Sequence, residues 1–130
     1  MRTASRLAIF FFVSTVILVS RARATGVEVA RSEAEANVKS PAGKRYEGSL
    51  IGKVEEWLRP AVEKCAKQAP QEELISFDAL IRVGADGKAE EVVFGPETAV
   101  AKCVAPTFQD QTYPRPPEPS WWVKVQVRMK

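Results

Sequence analysis

The stretch ISFDALIRVGADGKAEEVVF, residues 75–94, decides the fold. Ile75, Phe77, Ala79, Ile81 and Val83 alternate with Ser76, Asp78, Leu80 and Arg82, which is the period of a strand with one apolar face. The run enters Gly84-Ala85-Asp86-Gly87-Lys88, whose Asp-Gly pair supplies the positive φ that a tight hairpin needs. Residues 89–94 then return as a second strand, ended by Gly95-Pro96. A calcium loop here would need carboxylates at alternate positions, and Asp86 stands alone.

On the N-terminal side, Leu50, Val54, Trp57, Leu58, Ala61, Val62 and Cys65 recur at three- and four-residue spacing. The spacing predicts a helix from about Ser49, its N-cap, to Gln68, stopped by Pro70. Pro60 lies inside it and predicts a kink or a restart. On the C-terminal side, Val100, Cys103, Val104 and Phe108 predict a second helix from about Glu97 or Thr98 to Gln109. Tyr113-Pro114-Arg115-Pro116-Pro117-Glu118-Pro119 is an extended connector between two packed elements. In the last strand Trp121, Val123, Val125, Val127 and Met129 alternate without exception with Trp122, Lys124, Gln126 and Arg128.

This order, α-β-β-α-β, predicts an α+β domain: a three-stranded antiparallel sheet of order 2-1-3, covered on one face by two helices. Residues 49–130 form that domain. Residues 25–48 are small, polar and charged without an apolar stripe. They read as a flexible arm with room for one short strand at residues 27–30.

Residues 1–24 read as a secretory signal. Arg2 and Arg6 form a basic start, LAIFFFVSTVILV (residues 7–19) an apolar run too short to span a bilayer comfortably, and Ala22-Arg23-Ala24 a peptidase site. Arg21 and Arg23 leave open an uncleaved membrane anchor. Cleavage after Ala24 removes four of the 19 Lys+Arg and none of the 16 Asp+Glu, so the mature domain has a net charge of −1. The whole-chain pI near 9.0 therefore carries no nucleic-acid or membrane footprint.

Cys65 and Cys103 are the only cysteines, and an oxidising compartment favours one bond between them, tying the two helices together above the sheet. Their spacing is not that of a Cys-x-x-Cys redox pair, and without histidine two thiolates do not make a zinc site.

Val83-Gly84-Ala85-Asp86-Gly87-Lys88 with Glu91-Val92-Val93, then a helix, then Phe108, Tyr113-Pro114-Arg115-Pro116 and Val123-Lys124-Val125, resembles the TonB C-terminal domain. The likeness covers residues 57–130. It is greatest to the cysteine-bearing relatives at the ends of some myxobacterial gliding-motility proteins, where a helical cysteine precedes the first strand and a Cys-Val pair lies in the second helix, as Cys103-Val104 does here. The resemblance implies a periplasmic domain whose last strand pairs with an extended segment of a partner. The side chains of Trp122, Lys124, Gln126 and Arg128 would then lie on the open face and give selectivity. The chain departs from an energy transducer in having only about two dozen residues between leader and first helix.

The function expected is that of a non-enzymatic, periplasmic or secreted interaction module. Its partner would be another envelope protein or peptide, with no nucleic acid, no cofactor, no metal, and no stable membrane insertion once the leader is cleaved. A secreted inhibitor presenting the Tyr113 to Pro119 loop is the alternative, and a membrane-tethered TonB-like transducer is another if the leader is retained. Without histidine, a hydrolase would need a paired-carboxylate or a Ser-Lys mechanism, and the carboxylates Glu72, Glu73, Asp78, Glu90 and Glu91 fall mostly on strand ends and turns.

Overall fold

A computed structural model describes residues 26–130, and the leader reading of residues 1–24 lies outside the described residues. The elements are α1 (Val27–Asn37), α2 (Pro41–Gln68), a short 3-10 turn (Gln71–Glu73), β1 (Phe77–Val83), β2 (Ala89–Gly95), α3 (Ala99–Asp110) and β3 (Trp121–Val127). The strands form one antiparallel sheet of order β2-β1-β3, so the α+β reading and its strand order hold.

Alternation sets the register. Ala79 faces Phe94 on β2 and Val125 on β3, and Ile81 faces Val92 and Val123, so the apolar faces of all three strands coincide. A bulge between Arg82 and Val83 absorbs the hairpin. Gly87, at φ +83°, makes the turn. A β-carbon there would also collide with the carbonyl of Tyr113, whose N–H donates to the Gly87 carbonyl at 2.7 Å.

Against this face pack α2 and α3. Leu50, Val54, Leu58 and Cys65 of α2 and Val100, Val104 and Phe108 of α3 close the main core over Phe77, Ala79, Ile81, Val83, Val123 and Val127. Phe108 sits at its centre, edge-on to Trp57 at 5.1 Å and to Phe94 at 5.7 Å. Each large side chain so buried contributes about 1.5–3 kcal/mol.

The start of α2 differs from the sequence expectation. Ser40 is the N-cap, its Oγ accepting the Gly43 N–H at 3.0 Å, and Pro41 occupies the first helical position. Ser49, expected as the cap, lies inside the helix and donates to the Arg45 carbonyl at 3.2 Å. The extra turns bury Tyr46 on the same stripe as Leu50 and Val54. α2 continues past Pro60, which sits on its exposed side. For α3, Thr98 accepts the Ala101 N–H at 3.1 Å, and Glu73, brought up by the 3-10 turn, accepts the Ala99 N–H at 3.2 Å.

The larger correction concerns the arm expected over residues 25–48, of which residues 26–48 are described. In place of an unpacked arm or a strand at residues 27–30, the chain forms α1, which packs on the second face of the sheet. Ala30 and Ala34 press on Leu80 and Trp122, with Val27 and Val93 at the margin. Arg31 Nε donates to Asp78 Oδ2 at 3.2 Å. The approach is close at Gly95, where a β-carbon would stand 2.5 Å from Val27 Cγ1. The sheet is therefore covered on both faces, by α2 and α3 on one and by α1 on the other.

Candidate interaction site at the β3 edge

The strand order leaves β3 at an edge. Asn37 Nδ2 donates to the Trp122 carbonyl at 3.0 Å, so Trp122 turns its peptide group away from β1. By the alternation of an antiparallel ladder, Lys124 and Gln126 also direct N–H and C=O outward, while Val123, Val125 and Val127 bond inward to β1. The Met129 N–H, which donates to Ser76 Oγ at 2.8 Å, fits this phase.

Beyond the edge stands α2. A hollow of about 250 Å³ lies between Ile51, Glu55 and Leu58 of α2 and Lys124, Val125 and Gln126 of β3. A second, of about 220 Å³, lies between Leu58, Arg59, Val62 and Glu63 and Gln126, Val127 and Arg128. The two share Glu55, Leu58 and Gln126 and form one groove along the outer edge of β3. Ile51, 48 % exposed, is one of three large apolar side chains so exposed among the described residues.

The four β3 residues expected on an open face are not equivalent. Trp122 is 3 % exposed, covered by Ala30 and Ala34 of α1, and the Arg82 guanidinium lies 5.6 Å from its ring centre. Lys124 is half-buried, its Nζ 3.2 Å from Glu35 Oε1. Gln126 and Arg128 are exposed. The open-face expectation is thus corrected for Trp122 and, in part, for Lys124, because α1 occupies that side of the sheet. Glu35 and Asn37 of α1 and Ile51, Glu55, Leu58 and Val62 of α2 border the edge without having been expected there. Leu80, Val93 and Trp122, apolar residues on the supposed solvent side of their strands, were the signs of a second buried face.

Cys65 and Cys103 form the disulfide, with Cα atoms 5.8 Å apart, joining the C-terminal part of α2 to α3 on the side of the core remote from α1. The connector is fastened at its start. Tyr113 donates to the Phe108 carbonyl at 2.6 Å, Tyr46 donates to the Pro114 carbonyl at 2.8 Å, and Pro114 to Pro117 lie along Ala42, Arg45 and Ser49 of α2. Burial pushes the Tyr46 hydroxyl up to about 12. Tyr113 is raised further, by burial first and then by its neighbour Tyr46.

The carboxylates considered for catalysis are dispersed over structural contacts. Glu73 caps α3, Asp78 receives Arg31, Glu90 accepts the Ser120 hydroxyl at 2.8 Å, and Glu91 accepts Arg82 at 3.0 Å. Glu72 is exposed on the 3-10 turn. Among the described residues no group of three or more His, Cys, Asp or Glu is placed to hold a metal ion, and no helix is long and apolar enough to cross a membrane. No protein-family model matches the chain, and neither a curated protein nor a solved structure matches it.

Proposed function

We propose that this chain is an exported, non-enzymatic interaction module of the cell envelope that binds an extended peptide segment by adding it to the outer edge of β3, as the resemblance to the TonB C-terminal domain implies. The observation that carries the reading is the free edge itself. The outward peptide groups of Lys124 and Gln126 lie beside a groove whose far wall is α2, where Ile51, Leu58 and Val62 alternate with Glu55, Arg59 and Glu63. Main-chain hydrogen bonds supply affinity in this mode, and side-chain pockets at alternate positions supply selectivity. Export to the periplasm or the outside of the cell rests on the leader-like residues 1–24, together with the disulfide, a bond that persists in oxidising compartments.

The partner would be another envelope protein or peptide. The anchoring of Tyr113 and Pro114 to the domain favours a connector role for the proline-rich stretch over that of a projecting inhibitory loop.

The test is a Gln126→Pro variant, which removes an outward donor without touching the ladder to β1. Extended peptides from envelope proteins should perturb the backbone amide resonances of residues 121–129 in the parent domain and lose that effect in the variant. Peptides that bind both proteins equally, or that leave these resonances unmoved, would overturn the proposal.

A further inference from the structure

We infer that the β3 edge selects a three-residue apolar–acidic–apolar core in an extended segment; the inference rests on the strand-addition reading above. The two hollows are centred on Val125 and Val127, two residues apart along β3. Side chains i and i+2 of an added strand fall on one face at the same spacing, so two consecutive inward side chains meet the two hollows. Ile51, Val54 and Leu58 line the first beside Glu47 and Glu55, and Leu58 and Val62 the second beside Glu55, Arg59 and Glu63, so each hollow offers an aliphatic side chain a patch of α2 to pack on.

The residue between them points to the opposite face of the sheet, beside Gln126. There it is flanked by the outward side chains of Lys124 and Arg128, which stand two residues to either side of Gln126 on the same face. Lys124 has Glu35 as its partner, whereas Arg128 is exposed and forms no ion pair among the described residues. A carboxylate at the middle position would meet both cations. The bond from Asn37 closes the Trp122 carbonyl to an incoming strand, so the segment is confined to the part of the edge from Lys124 onward.

The experiment uses residues 25–130 and three seven-residue peptides with threonine flanks, having valine–glutamate–valine, valine–lysine–valine or serine–glutamate–serine centres, with backbone amide shifts and affinity as readouts. The glutamate-centred valine peptide should bind about tenfold more tightly than either of the others and shift the amides of Lys124, Gln126 and Arg128. Ile51→Asp, at a half-exposed position, should weaken it about tenfold, and the double change Lys124→Glu with Arg128→Glu should turn the preference toward the lysine-centred peptide. Equal binding of the glutamate- and lysine-centred peptides at β3 would overturn the selectivity and leave strand addition standing. Absence of any β3 shift with all three peptides on a folded domain would overturn both.

Discussion

Asn37, the last residue of α1, gives its side-chain amide to the carbonyl of Trp122 on β3, 85 positions away, at 3.0 Å. The bond holds the turn between α1 and α2 across the outer edge of the sheet, with α1 on one face and α2 on the other. One helix thus covers Trp122, its neighbour forms the groove wall, and a single polar contact ends the open edge between them.

Replacing Asn37 by alanine should leave the Trp122 carbonyl to water and cost about 1 kcal/mol. For a domain of this size that is a fall of about 4–8 °C in melting temperature. Calorimetry on Asn37→Ala checks it, and an unchanged melting temperature would mean that the clasp contributes nothing to stability.

The seat of α1 depends on Gly95. A methyl group there would meet Val27 at 2.5 Å and the Arg31 guanidinium at 2.9 Å. Gly95→Ala should therefore push the start of α1 outward, at a cost of about 1–3 kcal/mol. The indole N–H resonance of Trp122, which lies under α1, should shift, while that of Trp57, on the other face, should stay in place. Equal movement of both resonances would point to a global effect and not to the seat of α1.

The disulfide joins residues 38 positions apart. Closing a loop of that length stabilises the fold by about 4 kcal/mol in the chain-entropy model, a large part of the stability of a small domain. The double change Cys65→Ser and Cys103→Ser should lower the unfolding free energy in urea by that order, and mass spectrometry without reductant should find no free thiol in the parent. A loss below 1 kcal/mol would show that the buried contacts of α2 and α3 hold these helices together without the bond.

What the sequence made legible, and what it did not, follows from the size of the side chains involved. β1, β3 and α3 announce themselves through large apolar residues at strict spacing, β2 through the Asp86-Gly87 turn before it and Gly95-Pro96 at its end, and the register of Ala79 and Ile81 with Val125 and Val123 needs nothing beyond alternation. α1 does not, because the stripe it buries consists of Ala30 and Ala34, whose small apolar content is hard to tell from a polar arm. Leu80, Val93 and Trp122 on the supposed solvent side were the counter-signal, legible only once strand register puts the three together. Ser40-Pro41 marks the true start of α2, but polar residues after it obscure the stripe until Tyr46 is included. The edge position of β3 follows from strand order. The groove depends on how α2 lies across the sheet, which periodicity leaves undetermined, and so Ile51 and Val62 could be seen in sequence as helix residues but not as its wall.

Tyr46 and Tyr113 make stability fall with alkali. Both hydroxyls are buried and donate to carbonyls, Tyr46 to Pro114 and Tyr113 to Phe108, so the folded state holds their protons above the ordinary tyrosine value of 10. A group whose folded value is raised gives stability that is complete below its unfolded value and lost as pH climbs toward the folded one. For Tyr46 the window runs from 10 to about 12, and for Tyr113 it extends further upward. Within it, each tyrosine steepens the decline by up to about 1.4 kcal/mol per pH unit. Urea unfolding between pH 9 and 11.5 should show stability falling above pH 10, and Tyr46→Phe should make the fall shallower even though the variant starts from a lower value at neutral pH. The same slope in parent and variant would mean that Tyr46 ionises in the folded domain as it does in water, against the burial that holds the α2 end of the connector in place.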